Sequence, residues 1–442
     1  ELWFDIHPGG TLDFEGELAV SEVPLDWLAD VPPVEDIYSG ITGWFTPGSD
    51  WGLRLQGFDF SWSDSEVKPL DMVFTQRLGS RWRDFDVSVN RLDLSILTDL
   101  LRQTRLPAER LLTIIDQVRP EGSLRALTLG QNENGYYASA NLQAITMQNY
   151  KGAPALNGVD GYLEVHEQGG LFHIADSDGF DVWFSKVYRD YLHVDSAEGT
   201  IYLDWQAEHK TLVVESEPVK TVVDAGTSHI MFSVEQQFHS KGLAPEVNLV
   251  IGGHDIDASF SKQYLPYKMP ETLTSWLKTA IVGGNVKDFA FAYRAGAPRN
   301  DVRSRTSQML FRAEDTAIDY HPDWLGLRDL DALVLVDDGY VESSVSAGLA
   351  GENTIVAATA EYDSAKPPAQ RILIVDGTVT GSLAHGVDFL AQSPVKKSLG
   401  PLVSWDLAGN AESQLQLQIP LGIKSKDNLA KAEYKVSTQL TD

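Results

Sequence analysis

No cysteine occurs in the chain. That excludes disulfide staples, cysteine-ligated zinc, haem attachment and thiol nucleophiles. It also suits an oxidising compartment, where stray thiols mispair. Basic residues are scarce: 35 Lys and Arg stand against 63 Asp and Glu, a formal net charge of −28. Contact with a phosphate backbone needs stripes of Lys and Arg, so nucleic acid is excluded as a partner. The same balance argues against a surface that lies flat on anionic headgroups. No apolar run approaches the roughly 18 residues needed to cross a bilayer. Glu1-Leu2-Trp3-Phe4 has neither the basic start nor the apolar core of a secretory signal. A chain opening on glutamate is expected to follow an upstream segment, where a signal or anchor can lie.

What is present is apolar material in a two-residue rhythm. Of 442 residues, 43% are hydrophobic, enough for a core and too much for wholesale disorder. The length suits two or three domains or one long repetitive body. Alternation, with turn residues every 8 to 14 positions or so, predicts an all-β chain. Strands are expected at 212–215, 229–234, 247–251, 289–293, 333–336, 355–358, 371–375 and 415–419. Hairpin turns are expected at Glu133-Asn134-Gly135, Gln168-Gly169-Gly170, Asp337-Asp338-Gly339 and Asp376-Gly377, because Gly and Asn tolerate positive φ. Three helices are expected: 92–103, 108–118 opened by Pro107, and 270–282 ended by Gly283-Gly284. Shorter helical turns are expected at 25–29 and 387–391, and a loop tip at 364–368. A weak internal repeat appears at an offset of about 170, pairing Thr146 with Thr316, Tyr150 with Tyr320, Leu163 with Leu333, Gly169 with Gly339 and Leu171 with Val341. Repeated β units that cannot bury their own face must stack on their neighbours.

Catalytic candidates fail one by one. His254-Asp255-x-Asp257 could hold a metal, but in a strand His254 points away from the two carboxylates, the pattern of a solvated strand. His166, His173 and His193 stand singly, without zinc-ligand spacing. No nucleophile elbow or phosphate loop appears. Gly283-Gly284-Asn285 follows a helix instead of opening one, so it caps and does not cradle a phosphate. Asp337-Asp338 sits in a turn, and a glycosidase needs two carboxylates across one sugar. Of 11 Trp residues, Trp27, Trp44, Trp183 and Trp276 have apolar neighbours, which points to core packing before sugar stacking. The remaining apolar set can either close into a packed sandwich or line an open trough, and composition does not separate the two.

From Pro270 onward the sequence resembles the YhdP subgroup of the AsmA-like family. The residues carrying this are Trp276-Leu277-Lys278-x-Ala280-Ile281-Val282-Gly283-Gly284, then Phe291-x-Tyr293-Arg294-x-Gly296. Ile318-Asp319-Tyr320-x-Pro322-Asp323-Trp324-Leu325 follows, with Asp338-Gly339, Phe389-Leu390-x-x-Ser393-Pro394-Val395, Ala408-Gly409-x-Ala411 and Gln418-Ile419-Pro420-Leu421. Arg91-Leu92-Asp93-Leu94-Ser95 and Pro120-x-Gly122-Ser123-Leu124 look like the preceding section. The resemblance covers about residues 90–425.

It implies a mainly β fold: repeating antiparallel sheet units curled into an elongated, taco-like groove with an apolar floor and a few short helices. It also implies a periplasmic protein held in the inner membrane by an N-terminal helix outside this chain. The implied role is non-enzymatic movement of phospholipid between the inner and outer membranes, with acyl chains as the bound partner and no cofactor or metal. Two β-groove sections are expected, 1–265 and 266–442. Leu142, Ala144, Leu249, Ile251, Phe289, Phe291, Leu333 and Leu335 are the expected groove residues. Tyr136, Ala138, Ala140, Leu142 and Ala144 are expected to share one strand face. The rival readings are a β-rich scaffold whose apolar residues are consumed in sandwich cores, and a carbohydrate-binding or carbohydrate-active envelope module.

Overall fold

The computed structural model describes residues 2–24, 33–62, 65–78, 84–104, 109–238, 244–296, 305–393, 396–421 and 432–441. The helical turn expected at 25–29, Trp27 and the opening of the helix expected from Pro107 lie outside the described residues. The chain divides into two compact units, Glu1–Glu217 and Pro218–Asp442. The division falls inside the first of the two sections expected from the sequence.

Unit 1 opens with Leu2–Ile6 paired to Leu12–Val23. It continues through Val34–Thr46, Asp50–Trp62, Ser65–Arg77, Phe85–Asp93, Glu121–Asn132, Gly135–Met147 and Ala155–His166, each strand antiparallel to the next. The order then branches. Ala155–His166 carries both Gly169–Asp176 and the short strand Phe180–Trp183. Gly169–Asp176 continues to Ser196–Gln206 and Thr211–Ser216. Unit 2 is strictly sequential. Val219–Val223, Gly226–Gln237, Glu246–Asp257, Ile281–Ala295, Arg305–Ile318, Leu327–Asp337, Tyr340–Ala350, Asn353–Asp363, Ile372–Ser382, Asn410–Pro420 and Glu433–Thr441 each pair with the following strand. The fold is therefore the mainly β, repeating antiparallel one expected. Seven of the eight predicted strands lie within observed ones and the eighth, 371–375, starts one residue before Ile372–Ser382; the observed strands run longer because alternating polar positions extend the pairing past each apolar core.

Among the described residues five helices interrupt the sheets: α1 (Leu94–Thr104), α2 (Glu109–Val118), α3 (Glu271–Ala280), α4 (Leu383–Ala391) and α5 (Lys396–Leu399). Each lies at the same end of its unit's sheet, since each replaces a turn between strands running the same way. Ser382 caps α4 by accepting the His385 N–H at 3.1 Å. Two turn expectations fail. Gly283-Gly284 does not end α3, because the β-branched pair Ile281-Val282 already belongs to the next strand. The glycines mark register shifts inside that strand, with Gly284 at φ 130°. Asp376-Gly377 is not a hairpin; it lies mid-strand, paired to Thr359 and Ala358 on one side and Gln416 and Leu415 on the other. Two-sided pairing overrides the local turn preference there.

A line of β-bulges runs along the helix-bearing end of each sheet. Asp36, Gly57, Ala126 and Ala144 in unit 1, and Asp315 and Asp329 in unit 2, all take positive φ at register shifts. Bulges bend their strands and strengthen the twist, so each sheet curls along this line. Acidic side chains from the next strand hold three of these bulges. Asp71 accepts the Gly57 N–H at 2.9 Å, Asp160 the Ala144 N–H at 2.6 Å and Asp331 the Asp315 N–H at 3.2 Å. Ala144, at φ 52°, pays the left-handed penalty that glycine avoids. Ala144→Gly should therefore raise the thermal unfolding midpoint by the equivalent of about 0.5–1 kcal/mol, and the β-branched Ala144→Val should lower it. Equal midpoints for the two variants would show that the bulge carries no strain.

Candidate functional site

Directly opposed residues in an antiparallel pair share a face, so the register can be followed from strand to strand. In unit 1 one such row reads Phe4, Phe14, Gly43, Leu53, Phe74, Val87, Leu129, Ala138, Val165, Gly170, Leu203, Val214. It crosses twelve strands without one polar side chain. The adjacent row on the other face reads Trp3, Glu15, Thr42, Arg54, Val73, Ser88, Thr128, Ser139, Glu164, Leu171, Tyr202, Glu215, mostly polar. Gly43 within the apolar row is covered by an aromatic: the Phe14 ring occupies the space a Cβ there would need.

Unit 2 repeats the arrangement. Ile230, Ile251, Phe291, Met309, Val336, Val341 and Tyr362 form one apolar row. Beside it on the same face run Phe289, Phe311, Val334, Ser343, Ala360, Val375, Leu417 and Tyr434.

None of the twelve residues in the unit 1 row is buried, nor is any of the seven in the Ile230–Tyr362 row. They are half-buried or exposed. The closed cores lie elsewhere, at the bulged end under the helices. In unit 1, Trp62, Val67, Leu70, Val89, Leu124, Leu127 and Ala140 are buried against Leu94, Ile96 and Leu97 around α1. In unit 2, Leu330, Ala350 and Ile355 are buried, with Phe389 of α4 packed on them. Phe389 and Tyr320 flank the Trp324 ring at 6.0 and 6.2 Å between centroids, and burial pushes the Tyr320 phenol up. Each unit thus joins a sealed end to an open apolar face.

The expected groove residues fall on both sides of this division. Leu249, Ile251, Phe289 and Phe291 all lie on the unit 2 apolar face. Leu142 is on the unit 1 apolar face, but at its sealed end, packed on the α1 core. Ala144 leaves the face that Tyr136, Ala138, Ala140 and Leu142 share, because it is the bulge residue. Leu333 and Leu335 lie on the polar face, opposite Arg312 and Leu310; Val334 and Val336 occupy the apolar one. The internal repeat explains that difference. Its structural offset is 171, matching the Ala144–Asp160 bond to Asp315–Asp331. An offset of 170 is one residue out, and a one-residue slip exchanges the faces of a strand.

The catalytic candidates stay dispersed. Among the described residues no cluster of His, Asp and Glu could hold a metal. Asp255 pairs with Lys287 at 2.6 Å and with His254 at 3.4 Å; these bonds hold its carboxyl below the usual range. Asp257 accepts the Ser259 N–H at 2.8 Å and is lowered likewise. Trp44 donates to Asp50, Trp183 to the Tyr188 carbonyl and Trp276 to the Tyr320 carbonyl, each at 3.0 Å. Trp276 is 45% exposed, not the core residue its neighbours suggested. No helix among the described residues is long and apolar enough to cross a membrane. Comparisons with curated proteins and with solved structures return no match. A family model described as YhdP protein matches residues 1–440. With nearly every strand of both units inside that match, the chain belongs to the YhdP family of AsmA-like envelope proteins.

Proposed function

We propose that this chain carries phospholipid between the two membranes of a cell envelope, its open apolar faces holding the acyl chains, without catalysing a reaction. The observation that carries the reading is the unit 1 row from Phe4 to Val214, apolar across twelve strands and nowhere buried. A lipid crossing water exposes its tails at about 0.8 kcal/mol per CH₂, so a 16-carbon chain costs roughly 12 kcal/mol. An apolar face removes most of that cost at every point along it. Strands about 4.8 Å apart make a twelve-strand row a path of about 50 Å. Neighbouring strands present similar surfaces, so no single position becomes a trap. The partners in this reading are phospholipid acyl chains and, through segments outside the chain, the inner and outer membranes. The location is the periplasm, with an inner-membrane anchor in those outside segments. Polar rows on the opposite face and the net charge of −28 keep such a surface dissolved.

Protein purified from cells and extracted with organic solvent should release phospholipid detectable by mass spectrometry. A lipid-free extract from folded protein, together with failure to take up fluorescent phospholipid from detergent micelles, would overturn the reading.

A further inference from the structure

In unit 1 the turn after Phe180–Trp183 reads Phe184-Ser185-Lys186-Val187-Tyr188-Arg189-Asp190-Tyr191. It is held firmly. The Val187 and Tyr188 N–H groups donate to the Phe184 carbonyl at 2.8 and 2.9 Å. Trp183 Nε1 donates to the Tyr188 carbonyl at 3.0 Å, and the Trp183 and Tyr191 rings lie 5.6 Å apart. The segment 149–153 is tied alongside: Asn149 Nδ2 donates to Ser185 Oγ at 3.2 Å. The Lys186 ammonium lies against Gly152, 3.2 Å from where a Cβ would stand. Lys151 Nζ sits 4.9 Å from the centre of the Tyr150 ring.

The fixed turn presents Phe184, Val187 and Tyr191 to solvent at 42%, 37% and 45% exposure. Beside them stand the exposed cations Lys151, Lys186 and Arg189. Asp190 is the one carboxylate in these two segments, so a chain of strongly negative charge is locally positive here. Short apolar tips ringed by Lys and Arg suit the boundary layer of a bilayer: rings settle at headgroup level and cationic stems reach along them to the phosphates. We infer that the 184–191 turn is a foot that docks unit 1 on an anionic bilayer surface. The rest of the acidic chain opposes adsorption, so contact is confined to this point. The inference is independent of lipid carriage on the apolar face.

The test is co-sedimentation of the full chain with vesicles of phosphatidylcholine alone and of phosphatidylcholine mixed equally with phosphatidylglycerol. Binding should appear with the mixed vesicles and fade as salt is raised, because the Debye length shortens. Each Lys or Arg near such a surface is worth roughly fivefold in binding, so Lys186→Ala with Arg189→Ala should weaken it roughly 25-fold. Phe184→Ser with Val187→Ser should also release the protein, now without changing the salt dependence. All four side chains are exposed, and unchanged circular dichroism would establish that the variants fold. Leu335→Asp, on the polar face of unit 2, should sediment like wild type. Wild-type protein that ignores the mixed vesicles, or a Lys186/Arg189 variant that binds them as well as wild type, would overturn the inference. Wild-type protein that docks on the mixed vesicles yet carries no phospholipid would count against the carriage reading alone.

Discussion

Phe291→Asp should yield a folded protein whose phospholipid load is at least roughly tenfold lower than that of wild type. Phe291 lies between Ile251 and Met309 in the unit 2 apolar row and is half-buried. While the face is empty, the new carboxylate stays hydrated. Folding then loses only the packing of one half-buried ring, about 1–1.5 kcal/mol. An acyl chain lying over it strips that water, and an unpaired carboxylate in hydrocarbon costs several kcal/mol more. The penalty therefore falls on lipid binding. Leu335→Asp is the matched control: it adds the same charge on the polar face and should leave the load unchanged. Mass spectrometry of extracts, normalised to protein, reads both. A folded Phe291→Asp protein with the normal load would remove this row from the path.

Leu127→Ala and Leu129→Ala should separate the sealed end of unit 1 from its open face. The two leucines share a strand and a face, opposite Val89 and Val87. Leu127 is 4% exposed in the core beneath α1, whereas Leu129 is 38% exposed. Truncation at Leu127 removes buried carbons and leaves a cavity, at a cost of about 2–5 kcal/mol. For a body of this size that lowers the unfolding midpoint by on the order of 10 °C. At Leu129 no cavity can form, because solvent or lipid fills the space, and the cost should be about 1 kcal/mol. Lipid binding should respond the other way, weakened at Leu129 and preserved in whatever Leu127→Ala protein remains folded. Equal destabilisation at both positions would mean that the row is a core.

Much of this architecture was legible in the residues, because alternation with period two is a direct imprint of a sheet with one apolar face. The runs at 247–251 and 289–293 gave the right strands. Burial was not legible: Leu127 and Leu129 look alike in sequence, and only the placement of α1 separates them. Nor were the bulges, since Ala126 and Ala144 carry no turn signature. Their positive φ goes with tertiary pairing, and at Ala144, as at Asp315, with an acidic neighbour sixteen residues on, Asp160 and Asp331. The repeat read at an offset of 170 pairs Leu163 with Leu333, whereas the offset of 171 pairs it with Val334, on the other face of the strand. The Gly283-Gly284 and Asp376-Gly377 signals misled because glycine serves bulges and mid-strand close approaches as readily as turns.

The strictly sequential pairing of unit 2 has a consequence for how such a protein is made and how it evolves. Every strand there finds its partner in the segment just synthesised, so closing each hairpin costs little entropy. Assembly can proceed like a zipper, following the polypeptide as it emerges. Duplication of one hairpin would insert two more rungs and extend the body by roughly 10 Å, leaving the existing registers intact. Reach, in this design, is set by rung number.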